Sequence, residues 1–173
     1  KALESAILPE GEEEAIPSRV ARLSEDMMEF AEEPRAVVIL DEDGKPLTAG
    51  DTERRFFEAS WMHKYNGKYY MLSSGCTGWD PNVAEIAVAD SIMGTWKTIG
   101  NPCTGLDADK TFYAQSTYVQ PVVGKKNAYI AMFDRWKKKD LEDSRYVWLP
   151  VLVKDGKITI PWHEKWNLSI FDK

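Results

Sequence analysis

One acidic residue heads an aromatic-rich segment, and its setting suits acid catalysis. Glu58 follows Phe57 and precedes Trp61, in a segment that ends at an Asn-Gly turn at 66–67. A general acid must stay protonated near neutral pH, and desolvation by aromatic neighbours favours the protonated form of a carboxyl group. The alternative is an edge-strand glutamate that faces water, because a lone Glu is a weak indication of catalysis.

The aromatic content offers a second kind of chemistry. The 173 residues include 7 Trp, 7 Tyr and 6 Phe. Trp is often a core residue, but its flat π surface also stacks on the apolar C–H faces of sugar rings. The net charge is −6, from 22 basic and 28 acidic side chains. This balance leaves no basic stripe to neutralise phosphates, so we do not expect nucleic acid as a partner.

Membrane and zinc-site chemistry find little support. The longest apolar run, 146–153, is interrupted by Pro150 and is far too short to span a bilayer. Cys76 and Cys103 lack metal-ligand spacing, and the chain has only 2 His, so a zinc site is not expected. The two cysteines could form one disulfide or remain two buried thiols.

Glycine turns divide the chain into short alternating strands. They lie at Gly44, Gly67, Gly124 and Gly156. Gly67 and Gly124 are 57 positions apart and head similar units. Each unit predicts four short strands, the later pairs being 84–90 with 95–99 and 144–153 with 157–161. Such a repeat is typical of a propeller blade, although a β-sandwich also has short strands at this spacing.

The segment 24–33 is ambiguous. Its spacing of Met27, Met28 and Phe30 after Ser24 is compatible with a short helix. The repeat instead favours a turn between strands at 19–23 and 35–40, and we predict the turn.

Several sequence motifs together resemble glycoside hydrolase family 43, whose members are five-bladed β-propellers. The motifs lie at 57–59, 74–82, 87–96, 111–117, 134–136 and 143–150. The resemblance is strongest to the branch of exo-β-1,3-galactanases and related arabinogalactan-degrading enzymes. Thr-Gly-Trp-x-Pro-Asn at 77–82 and Gln-Ser-Thr at 115–117 are specific to that branch.

The resemblance implies catalytic roles for two residues. Glu58 stands where the family has its general acid, in enzymes that invert the anomeric centre with a water on the opposite sugar face. Most of the family uses an Asp as base, whereas this branch has a glutamine, which Gln115 matches. An amide is a poor base, so Gln115 is expected to orient the water. The alternative is a buried amide that bonds to neighbouring backbone.

The same resemblance suggests substrate-binding residues. Trp79 would be a sugar platform or a loop anchor, and Asn82 a partner for sugar hydroxyls. Thr77 belongs to the same motif, and Asp80 would bind hydroxyls or cap the turn. Arg135 and Arg145 would hold sugar hydroxyls or tune the acid; the alternative for Arg145 is an ion pair with Asp143 that locks two blades.

The chain is short for its family. A five-bladed propeller at about 50 residues per blade needs about 250 residues. We therefore expect an all-β domain over 1–173 with about three blades. Its parts would be an uncertain segment at 1–17, a remnant of an earlier blade at 18–56, and later blades at 57–173. A second chain or a missing N-terminal segment would complete the propeller, and this chain alone would hydrolyse glycosides poorly.

The functional prediction is an inverting exo-glycosidase acting on arabinogalactan-type β-1,3-galactan, with a polysaccharide as its partner. The alternatives are an α-L-arabinofuranosidase or β-xylosidase of the same family, a non-catalytic carbohydrate-binding propeller, and a scaffold. No cofactor is expected; some family members hold calcium, but no ligands for it can be identified here. The substrate class predicts a secreted, periplasmic or extracellular location.

Overall fold

A computed structural model describes residues 18–47, 58–75, 77–154 and 156–172. This part of the chain consists mainly of antiparallel strands, with three short 3₁₀ helices at Ala108–Tyr113, Leu141–Asp143 and Leu168–Phe171. The all-β prediction is therefore confirmed. Phe57, Cys76 and the segments 1–17 and 48–56 lie outside the described residues.

The N-terminal described strands form a small ribbon. Strand β1 (Arg19–Val20) pairs antiparallel with β2 (Arg35–Ala36). Between them the chain turns, as predicted, and forms no helix: the Ser24 hydroxyl donates to Asp26 at 2.6 Å and accepts the Glu29 N–H at 3.2 Å. Side-chain bonds to nearby backbone compete with helix formation. The apolar residues of this segment are also exposed, Met28 by 83%, so no buried helix face exists to stabilise a helix.

The first full blade follows. Its strands are β3 (Ile39–Leu40), β4 (Glu58–Tyr65), β5 (Lys68–Ser74), β6 (Ala84–Ala89) and β7 (Trp96–Gly100). Strands β4 to β7 pair antiparallel in chain order, and β3 adds in parallel to the outer side of β7. Of the segment 18–56, predicted as a remnant of an earlier blade, β1 and β2 form the ribbon, whereas β3 joins this blade.

The second blade repeats the arrangement. Its strands are β8 (Cys103–Thr104), β9 (Gln115–Pro121), β10 (Tyr129–Arg135), β11 (Arg145–Lys154) and β12 (Lys157–Pro161). Again four strands pair antiparallel in chain order, and the preceding short strand, β8, adds in parallel to the last one, β12. The described residues thus form two five-stranded blades and the β1–β2 ribbon.

The predicted glycine turns connect the strands of each blade. Gly67 joins β4 to β5 with φ of 81°, and Gly124 lies between β9 and β10 with φ of 80°. Both glycines have open space where a Cβ would stand. Left-handed backbone, rather than close packing, is therefore the reason for glycine at these two turns.

A hydrophobic core holds the two blades together. It combines Leu72 and Ile86 of the first blade with Phe133 and Leu149 of the second, and all four side chains are at most 5% exposed. Strands β4 and β9, which are end strands of their sheets, contact each other where the blades meet. The core therefore places the first residues of β4 and β9 at the same end of the molecule.

Cys103 is a free thiol within this core, so it forms no disulfide. Burial raises the pKa of the Cys103 thiol to about 12. An unfolded thiol ionises near pH 8.5, so the folded state holds this proton more tightly than the unfolded state.

We expect the free energy of unfolding to fall as pH rises from about 8.5 towards the folded-state pKa, by up to about 1.4 kcal/mol per pH unit from this thiol. Urea denaturation at several alkaline pH values measures it. Cys103→Ala should flatten that dependence, because the other titrating groups are unchanged. Equal slopes in the two proteins would contradict the assigned burial.

Candidate active site

The predicted acid and the predicted water-holding amide lie side by side. Glu58 is the first residue of β4, and Gln115 is the first residue of β9. The Gln115 Nε2 donates to Glu58 Oε2 at 3.2 Å and to the Ser74 hydroxyl at 3.1 Å. Ser74 ends β5 directly opposite Glu58 and is buried. The two blades therefore present equivalent strand positions to one shared site.

A bulge at the start of β4 separates Glu58 from the aromatic residue expected beside it. The register shifts between Glu58 and Trp61, and Ala59 has a left-handed φ of 50°. Trp61 instead stacks on His63, with ring centroids 5.3 Å apart, and lines an apolar cavity between the blades. Glu58 is exposed, so the expectation that Trp61 shields it is wrong.

Glu58 and Gln115 line a cavity of about 470 Å³, a size typical of small-molecule sites. Of the other predicted site residues, Trp79, Asp80, Asn82, Arg135 and Arg145 line it, whereas Thr77 does not. The cavity is also lined by Ser74, Tyr113, Trp136 and Lys137, which were not predicted as site residues. Trp136 belongs to the motif at 134–136, but its position beside Gln115 depends on the pairing of β9 with β10, which the sequence does not show.

The 77–82 loop is closed by its own side chains. The Asn82 amide accepts the Gly75 N–H at 3.1 Å and donates to the Gly75 carbonyl at 2.9 Å and to the Thr77 hydroxyl at 2.7 Å. That hydroxyl donates to the Asp80 carbonyl at 2.6 Å. Asn82 and Thr77 thus fix the loop, and Trp79, which is 51% exposed, lies on it against the cavity.

A left-handed turn precedes Gln115. Thr111, Phe112 and Tyr113 have φ of 49°, 59° and 57°. Left-handed backbone costs non-glycine residues roughly 1–2 kcal/mol each. Two side-chain bonds from outside the turn help to hold it: the Thr111 hydroxyl donates to the Asn82 carbonyl at 2.8 Å, and the Arg135 guanidinium donates to the Phe112 carbonyl at 2.7 Å. Both positioning contacts come from the cavity wall.

Charged side chains form one rim of the cavity. Asp143 contacts both Lys137 and Arg145 through its two carboxylate oxygens. The Arg145–Asp143 ion pair therefore exists, but all three residues lie between the end of β10 and the first residue of β11, within the second blade. It stabilises one blade and does not lock two blades together.

Metal-binding clusters and membrane-spanning helices are absent from the described residues. Within residues 18–47, 58–75, 77–154 and 156–172, no group of three or more His, Cys, Asp or Glu side chains could hold a metal ion. No helix in that part of the chain is long and apolar enough to cross a membrane.

Replacement of Arg135 tests the clamp on the left-handed turn. Arg135→Lys keeps the charge but loses the guanidinium geometry that reaches the Phe112 carbonyl and lies over Trp162, 5.8 Å from its ring centroid. We expect the free energy of unfolding to fall by about 1–3 kcal/mol, measured by urea denaturation. The exposed Arg145→Lys is the control, with an expected change within about 0.5 kcal/mol. Equal effects would rule out a special role for Arg135.

Comparison with known proteins places this chain in a family. No family model matches the chain. A β-xylosidase from Xylanibacter ruminicola is 48% identical over 124 residues, which are 72% of this chain and 33% of that protein. A GH43 β-1,3-galactosidase structure aligns with a TM-score of 0.76 at 34% identity, covering 89% of this chain and 30% of that one. A second such structure, with galactodeoxynojirimycin, has a TM-score of 0.69 at 40% identity, covering 87% of this chain and 39% of that one.

The similarity thus extends over most of the described residues in both sequence and fold. The chain spans 33% of the length of the β-xylosidase and 30% of the length of the first galactosidase. Its two blades are accordingly part of a larger propeller in those relatives. The chain belongs to glycoside hydrolase family 43, and it comprises part of the family's propeller.

Proposed function

We propose that this chain carries the acid-bearing part of an inverting exo-glycosidase acting on arabinogalactan-type β-1,3-galactan. The observation that carries the proposal is the contact of Glu58 with Gln115 at equivalent positions of adjacent blades, in one cavity. The 34% and 40% identity to two β-1,3-galactosidase structures favours galactan as the substrate. The substrate class in turn favours an extracellular or periplasmic location.

Glu58 would act as the general acid. Its proton passes to the glycosidic oxygen while the bond from that oxygen to the anomeric carbon breaks. A water oxygen forms the new bond from the opposite face of the sugar, which inverts the anomeric centre, and the proton that this water loses passes to the solvent. Gln115 would hold that water, because an amide can orient a water molecule but does not accept its proton near neutral pH.

The cavity wall offers contacts for the sugar. Trp79 and Trp136 are each about half exposed and meet edge to face, with centroids 6.0 Å apart. We assign the stacking role to Trp79 and hydroxyl binding to Asp80, which lines the cavity beside it. Arg135, Asn82 and Thr77 contribute by fixing the walls. Arg145 and Lys137 would bind hydroxyls at the rim.

A second candidate function is β-xylosidase or α-L-arabinofuranosidase activity at the same site. The 48% identity to the Xylanibacter ruminicola β-xylosidase favours it. Fold does not decide between these substrates, because the two activities need the same acid and differ only in the side chains that contact the sugar. A carbohydrate-binding role without catalysis is the third outcome.

Chromatography of released sugars tests the function. We expect the longer protein that contains this chain to release galactose from β-1,3-galactan, with weak or no release by the 173-residue chain alone. Glu58→Gln should abolish sugar release and keep sugar binding, measured by calorimetry. The amide has nearly the size of the carboxyl group but has no acidic proton to donate. Glu142→Gln, at an exposed position outside the cavity, is the matched control. Xylose release instead would favour the second candidate, and binding without release the third.

A second carboxylate tests the contact itself. Gln115→Glu would place two carboxylates about 3.2 Å apart, where they share one proton. The folded variant then binds more protons than its unfolded state near neutral pH, so its free energy of unfolding should fall relative to the parent between roughly pH 5 and 8. Gln120→Glu, exposed on the same strand, should show no such trend. Identical pH dependence of both variants would contradict the contact.

A further inference from the structure

Trp136 contacts the amide that is proposed to hold the water. It follows the last residue of β10, and its indole Nε1 donates to Gln115 Oε1 at 3.3 Å. An indole N–H is a donor with no accepting lone pair. Only the amide oxygen of Gln115, and not its nitrogen, can therefore face Trp136.

The opposite end of the amide is fixed by acceptors. Gln115 Nε2 donates to Glu58 Oε2 and to the Ser74 hydroxyl. Rotating the amide by half a turn would place its oxygen against the Glu58 carboxyl and its N–H groups against the Trp136 N–H. The three contacts therefore specify a single amide orientation, which leaves both amide hydrogens used.

This orientation decides where a water can bind. The nitrogen side of Gln115 is filled by Glu58 and Ser74, whereas the carbonyl oxygen has a second lone pair beside the one facing Trp136. A water on the nitrogen side would also lie against the acid. In inverting enzymes the sugar lies between the acid and the attacking water. The carbonyl end, turned away from Glu58, suits that arrangement better.

We propose that Trp136 is a positioning residue that turns the Gln115 carbonyl towards the attacking water. The inference rests on the proposed function of Glu58 and Gln115. It has a consequence for the acid: Glu58 Oε2 accepts the amide N–H, so the catalytic proton is carried by Oε1. That oxygen is the one that protonates the leaving group.

The indole is itself supported. Trp136 meets Trp79 at an interplanar angle of 83°, and Trp79 lies on the loop that Asn82 closes. An aromatic residue of any kind at 136 could keep this ring contact. Only the indole N–H reaches Gln115, so ring packing and amide orientation can be separated by one substitution.

Trp136→Phe makes that separation. In the longer protein that releases sugar, we expect kcat to fall on the order of 10-fold with KM nearly unchanged, because the water is misplaced while the sugar contacts remain. Trp166→Phe is the matched control, since its indole N–H bonds to the Trp148 carbonyl at 2.8 Å away from the cavity. On a Gln115→Ala background, Trp136→Phe should cost no further activity. Independent, multiplying losses would overturn the proposal.

A second measurement does not depend on activity. In a spectrum of ¹⁵N-labelled indoles, the Trp136 signal, assigned by its loss in Trp136→Phe, should move in Gln115→Ala and stay in Gln120→Ala. An unmoved signal would overturn the positioning contact. If no protein releases sugar, the proposed function fails and the water-holding role with it, whereas the indole signal still decides whether Trp136 orients Gln115.

Discussion

The site depends on the packing of one blade against the next. Glu58 and Gln115 belong to different sheets and are 57 residues apart in the chain, yet their side chains are 3.2 Å apart. What brings them together is the core between the blades, in which Leu72 of one sheet and Phe133 of the other are almost fully buried. Burying such side chains contributes roughly 1.5–3 kcal/mol each, so the core as a whole contributes far more than the single amide hydrogen bond to Glu58. The contact between Glu58 and Gln115 is a consequence of blade packing and does not cause it.

Around this contact, much of the polar chemistry serves structure. The hydrogen bonds of Asn82 and Thr77 close the 77–82 loop, and Arg135 donates to the Phe112 carbonyl of a left-handed turn. Unfavourable backbone of this kind persists where surrounding contacts enforce it, and such positions concentrate at functional sites. The side chains left to face the cavity, among them Trp79 and Asp80, are then held on rigid walls. Because some polar side chains fix the walls and others face the cavity, the cavity can be open to solvent and still hold its side chains in defined orientations.

The two blades differ in what covers them. The first is buried on both faces, since Leu72 packs into the core between the blades while Met71 packs with Trp96 and Ile39 on the other side. The second blade is buried mainly on one face: on its other face Pro150 is buried, but Trp148 is 53% exposed. This asymmetry agrees with a chain that spans only about a third of the relatives it resembles.

The strands, the glycine turns and the repeat could be predicted from the sequence, because alternation and left-handed turns depend on local residue types. Its motifs also pointed to Glu58 and Gln115, whose side chains are in contact in the structure. The orientation of Trp61 away from Glu58 could not be predicted in this way, because it results from a bulge at Ala59 that shifts the strand register. Likewise, Trp136 and Ser74 became neighbours of Gln115 through strand pairing and blade packing. Pairing of distant strands depends on the summed burial of the whole core, so no local spacing could have shown which way one amide points.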